Sequence, residues 1–114
     1  CHSWFMTDFY HSIDGARFER PMTPVWNDLI WTGNNTMGCP SGMTIKNENI
    51  LFFDEDLNWL MDVDYYKSMF DKYGEPEILK NFTVVNRTWG NRLTDTISQD
   101  LKDREFKMLS DKYA

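Results

Sequence analysis

Residues 52–74 read FFDEDLNWLMDVDYYKSMFDKYG, and where this stretch turns helical decides the fold. Aspartates and a glutamate alternate here with Phe, Trp, Leu, Met and Tyr. Tyr65 and Met69, and likewise Tyr66, Phe70 and Tyr73, recur at three- and four-residue spacing, which predicts one buried helical face. The helix is expected over Asp62–Tyr73. Gly74 suits the residue just past its end, and Pro76 prevents its continuation. Asp54, Glu55 and Asp56 precede the helix, where negative charge is favoured, and read as a turn and helix-entry cluster.

Working outward, Trp4–Tyr10 is expected to form a short strand or helix, followed by a turn at Asp14-Gly15. Pro21 and Pro24 exclude a helix there, and Val25–Trp31 is expected as a short helix or strand. TGNNTMGCPSG (32–42) reads as a loop, Met43-Thr44-Ile45 as a short strand and Asn47–Leu51 as a single helical turn. Glu77–Leu79 and Thr83–Trp89 carry strand signals. Ser98 is placed to cap a last helix over Gln99–Lys112, with Asp100–Arg104 and Asp103–Lys107 spaced for ion pairs on its exposed face. With no repeat or linker, residues 1–114 form one unit of the α/β class, a mixed sheet with packed helices.

At 114 residues, with 41% hydrophobic and 26% charged, the chain has the composition of a folded domain. Its formal net charge of −6 and dispersed basic residues exclude a nucleic-acid-binding surface driven by overall charge. The sequence has no membrane segment, and the expected compartment is cytoplasmic. Cys1 and Cys39 are too few for a disulfide framework. Because Cys1 stands first and the sequence stops on Lys112-Tyr113-Ala114, a piece of a longer protein is expected. Sequons at Asn34, Asn81 and Asn86 carry little weight, since such triplets arise often by chance.

Asp62-Val63-Asp64 admits three roles. The carboxylates are solvated or capping groups, or they form a D-x-D site for Mg²⁺ or Mn²⁺, or Asp62 is a general base. The metal role needs extended backbone, because residues two apart on a helix point about 200° away from each other. For the third role, the unpaired N–H groups of the helix start keep the carboxylate ionised.

The run GCPSGMTIKNENILFFDEDLNWLMDVDYYKSMFDKYGEP (38–76) resembles the second half of a family 2 glycosyltransferase domain of the GT-A fold. The resemblance rests on Gly38-Cys39-Pro40-Ser41-Gly42, Met43-Thr44-Ile45-Lys46, Phe53-Asp54-Glu55, Asp62-Val63-Asp64 and Tyr73-Gly74, in the family's order and spacing. It covers Asn34–Glu77 well and Val84–Ile97 loosely. The resemblance implies a partial GT-A fold and inverting transfer of a sugar from a nucleotide-sugar donor to an acceptor hydroxyl. It further implies that Asp62 is the base; the family often has an acid one residue earlier, where Met61 stands here, which leaves Asp64 as the alternative. The nucleotide-binding half and the main ligands of a divalent metal would lie outside this chain. By itself the chain is then expected to be inactive. The rival expectations are a non-catalytic carbohydrate-binding or assembly module, and a small structural domain.

Further candidates follow. Pro40, Ser41 and Gly42 offer small side chains and backbone donors for close approach to a sugar or phosphate. Trp59 is suited either to stacking on a sugar or to the core. Arg87, Trp89 and Arg92 form a basic–aromatic cluster for diphosphate or acceptor. His2 and His11 have too few companion ligands for a metal, and Cys39 has no sequence neighbour that would activate its thiol.

Overall fold

The computed structural model describes residues 1–8, 19–88 and 92–114. Strand β1 (His2–Asp8) is central in a three-stranded sheet, between β2 (Glu19–Met22) and β3 (Leu79–Thr88). Pairing of β1 with β2 is antiparallel, Trp4 opposite Met22 and Met6 opposite Glu19. Pro21 fits there because an edge strand leaves one row of N–H groups out of the ladder. β1 and β3 run parallel, in register from Trp4↔Val84 to Asp8↔Thr88. A parallel partner requires a long crossover, and the chain between the two strands includes the first long helix, α1 (Met61–Tyr73). α2 (Leu93–Thr96) and α3 (Gln99–Tyr113) complete the chain. The α/β class and mixed sheet expected from the sequence are therefore present.

The principal core lies between the two long helices and the segment before them. Ile30, Met37, Leu57, Leu60, Val63, Tyr66 and Leu109 are buried together. α1 ends as its sequence predicts: Gly74 has φ 85°, and its N–H donates to Phe70 O at 2.7 Å. Its start is capped from a distance. Leu60, the residue before the first turn, supplies no side-chain cap. Instead the Glu105 carboxylate of α3, fully buried, accepts from the N–H groups of Asn58 (2.7 Å), Trp59 (2.9 Å) and Leu60 (2.8 Å). α3 itself begins at the expected Ser98, whose hydroxyl accepts from Leu101 N–H.

Several local expectations are corrected. Val25–Trp31 is neither strand nor regular helix: Asn27 Oδ1 accepts from Leu29 N–H, a turn that competes with helical pairing, and only Ile30–Thr32 winds into a 3₁₀ turn. Met43-Thr44-Ile45 joins no ladder, because Met43 N–H turns back to Pro40 O. Asn47–Leu51 forms bends and no helical turn, and Asn49 sits at φ 48°. The two strands expected at 77–79 and 83–89 are one, since pairing to β1 carries the backbone through Lys80–Phe82. Asp103 takes Gln99 Nε2 at 2.8 Å, and Arg104 donates to Asp56 O, so these side chains serve contacts other than the expected ladder of ion pairs. Tyr73 is 53% exposed where a buried ring was expected. The turn at Asp14-Gly15 lies outside the described residues.

Gly33 closes the first 3₁₀ turn at φ 93°, and a Cβ there would meet the Phe106 ring at 2.5 Å. Gly33→Ala is expected to lower stability by about 1–3 kcal/mol, from overpacking and left-handed strain together. A urea melt checks it through a lower midpoint at unchanged slope.

Candidate functional site

The loop 33–42 and the start of α1 come together. Asn35 organises the loop: its Oδ1 accepts from the N–H groups of Met37 (3.1 Å) and Gly38 (3.0 Å), and its Nδ2 donates to Gly38 O. The same Nδ2 donates to Asp62 Oδ2 at 3.1 Å, across 27 residues of chain. Gly38, at φ 89°, permits this turn. Its carbonyl also accepts from the Tyr66 hydroxyl, one helical turn beyond Asp62. Pro40–Gly42 then forms the second 3₁₀ turn, with Ser41 exposed and Gly42 buried. Asn35 and Gly38 of the loop thus meet Asp62 and Tyr66 of α1, whereas Phe53 stacks on Tyr65 and the Tyr73 hydroxyl donates to Asn49 O.

Asp62 is the second residue of α1 and half-buried. Its Oδ1 accepts from Val63 N–H at 2.8 Å. Burial pushes its carboxyl above the ordinary value of 3.8, and backbone hydrogen bonds from Val63 and from its own N–H only partly oppose this. Tyr66 is held in its neutral form far above the usual phenol range, first by burial, then by the charges of Asp62 and Cys39. A carboxylate with raised proton affinity beside a neutral hydroxyl donor is chemically suited to accept a proton from a bound hydroxyl.

Asp64 is placed differently. It is 3% exposed, and its Oδ1 takes Lys112 Nζ at 2.7 Å and Tyr113 OH at 2.6 Å. Tyr113 OH also hydrogen-bonds Ser68 Oγ at 2.9 Å. Asp64 thus fastens the end of α3 to the first turn of α1. Burial pulls the Lys112 ammonium down, but hydrogen bonding and attraction to Asp64 outweigh it, so its pKa is raised. The two carboxylates of Asp62-Val63-Asp64 turn to different partners, as helical spacing requires, and do not form a pair that one ion could bridge. Among the described residues no group of three or more His, Cys, Asp or Glu is placed to hold a metal.

The other candidates are dispersed. Trp59 packs edge-on against Phe106, centroids 5.3 Å apart, with Lys102 Nζ 5.2 Å above its ring, a core position on the α3 side. Arg92 is engaged by Asp95 through two hydrogen bonds, 3.1 and 3.3 Å, at the start of α2. Trp89 and His11 lie outside the described residues, as do the side chains of His2 and Arg87. Cys1 and Cys39 are both free thiols.

Sequence reasoning missed Asn35, Tyr66 as a site group, and Glu105. Asn35 gave no signal beyond a turn-forming composition. Glu105 did give one: it falls on the stripe Leu101, Met108, Leu109 of α3, where an acid among apolar residues implies a buried partner. Among the described residues no helix is long and apolar enough to cross a membrane. No family profile, curated protein or solved structure matches the chain.

Proposed function

We propose that this chain forms the acceptor side of an inverting, GT-A-type glycosyltransferase, with Asp62 as the general base. The observation that carries the proposal is the hydrogen bond from Asn35 to Asp62. It joins the 33–42 loop to the helix start and leaves the carboxylate partly exposed. An acceptor hydroxyl presented there gives its proton to Asp62. Its oxygen attacks the anomeric carbon of a nucleotide sugar from the opposite face, and the nucleoside diphosphate departs with the bonding pair. Inversion follows from the single displacement. Asp64 has no part in proton transfer on this proposal, because its carboxylate holds α3 to α1. Pro40, Ser41 and Gly42, which follow Gly38 in the same loop, are assigned to the approach of acceptor or donor. The nucleotide pocket and any Mg²⁺ or Mn²⁺ are assigned to chain beyond these residues. The setting proposed for the chain is cytoplasmic.

The pH dependence of transfer by the intact protein tests this. Asp62 works only as the carboxylate, so the rate is expected to rise with pH through an apparent pKa above 3.8. Asn35→Ala removes the amide that positions Asp62 and favours its ionised form. Its acidic limb is expected to move to higher pH, with kcat down by about 10-fold and the fold retained. An acidic limb that stays in place in Asn35→Ala counts against the assignment. Saccharide binding without transfer from any nucleotide sugar would favour a carbohydrate-binding module.

A further inference from the structure

α1 carries Asp62, Tyr66, Met69 and Tyr73 at spacings of four, three and four, hence along one face. Beyond Asp62 this face borders a cavity of about 390 Å³, within the range of small-molecule sites. Its walls are rings and thioethers, chiefly Trp26, Met43, Tyr66, Met69, Phe70 and Tyr73. Trp26 and Phe70 are already stacked, centroids 4.4 Å apart at 20°. Such walls suit a flat, polarisable ring better than a sugar covered in hydroxyls. Lys46, Glu75 and Glu77 also line the cavity, charges of both signs that give no net attraction to an anion. Trp26 contributes one more feature. Its Nε1–H is buried without a hydrogen bond, and no other buried side-chain polar atom among the described residues lacks one. That donor is closed off from the cavity surface, so it is the face of the Trp26 ring that the cavity presents to a ligand.

We propose that this cavity is an aglycone pocket: it takes the aryl group of a neutral, hydroxyl-bearing acceptor and so directs the hydroxyl toward Asp62. This rests on the acceptor-side reading above and specifies its substrate class. Tyr66 links the two regions, its ring in the cavity wall and its hydroxyl at the Gly38 carbonyl that Asn35 also contacts. One helical turn, about 6 Å along the axis, separates Tyr66 from Asp62.

The test is titration of the full chain with phenyl β-D-glucoside and methyl β-D-glucoside, followed by amide chemical shifts. The phenyl compound is expected to bind at least 10-fold more tightly, with shifts centred on Trp26, Met69 and Tyr73. Ile45 lines the cavity and is 37% exposed, so Ile45→Trp can be accommodated while narrowing the space. It is expected to abolish the phenyl preference. Tyr73→Ala, at a half-exposed wall position, is expected to weaken the preference several-fold. Equal binding of the two glucosides, or a phenyl preference that survives Ile45→Trp, overturns the aglycone pocket. The outcome is separable from that of the catalytic reading, because Asp62→Asn leaves the phenyl preference in place whether or not it stops transfer.

Discussion

Glu105→Ala is expected to lose about 3–5 kcal/mol of stability, the cost of leaving buried polar groups without their charged partner. Three backbone N–H groups, those of Asn58, Trp59 and Leu60, converge on this one carboxylate. Glu105 is fully buried, so water does not replace the lost acceptor without opening the core around Leu60 and Leu109. The truncation also leaves a cavity between α3 and the entry to α1. Domains of this size are stable by only about 5–15 kcal/mol in total, so much of the margin goes. The melting midpoint should fall by more than about 10 °C. Glu105→Gln separates the contributions. Its single carbonyl oxygen can serve the Trp59 and Leu60 donors but abandons Asn58, and the negative charge is gone. An intermediate loss, about 1–3 kcal/mol, is expected. A Glu105→Ala protein that melts within about 2 °C of the parent would show that the helix start is held by something else.

The consequence for the site is direct. Glu105 fixes the residues immediately before α1, and Asp62 is the second residue of that helix. Asp64 fixes the same turn from the other side, through Lys112 and Tyr113. Asn35 then holds the Asp62 carboxylate itself. If Asp62 acts as proposed, a carboxylate mounted in this way is already oriented when substrate enters, which lowers the cost of ordering it in the chemical step.

How much of this could be read from the residues divides along physical lines. α1 was legible because its signals are local: apolar spacing, a glycine at the end, a proline beyond. Ser98 was legible for the same reason. What escaped depends on distant partners. The three N–H groups before α1 needed an acceptor, and no residue nearby in sequence supplies it; the acceptor is 45 to 47 residues away. Val25–Trp31 and Asn47–Leu51 were misread because asparagine side chains and a positive φ at Asn49 replace regular backbone pairing, and composition does not distinguish the two. At the site, motif order placed the 33–42 loop and Asp62 among the candidates without bringing them together. Only the structure identifies Asn35 as the residue that joins them, and gives Asp62 and Asp64 different neighbours. Trp59 was open to stacking on a sugar or to the core and Arg92 was a candidate for diphosphate or acceptor; the first packs on Phe106 and the second pairs with Asp95.

Asp62→Asn carries the second large effect. The substitution preserves volume and one acceptor oxygen, so either Val63 N–H or Asn35 Nδ2 keeps its partner. It also removes a carboxylate whose ionisation burial disfavours. The sign of the linkage follows from the raised pKa. Asp62 binds a proton more tightly folded than unfolded, so its contribution to stability is greatest below the unfolded pKa and declines as pH rises through the folded one. At neutral pH the variant is therefore expected to be as stable as the parent, within about 1 kcal/mol, the hydrogen bond it gives up being offset by the charge it no longer buries. An amide cannot accept the acceptor's proton. Transfer should fall by about 10²–10⁴-fold, the usual contribution of a general base.

The most direct test is single-turnover sugar transfer by the intact protein, comparing Asp62→Asn with the parent at saturating donor. A loss of at least about 100-fold is predicted, with donor affinity and melting midpoint unchanged. Turnover equal to the parent in a folded Asp62→Asn protein would contradict the assignment of Asp62 as the base.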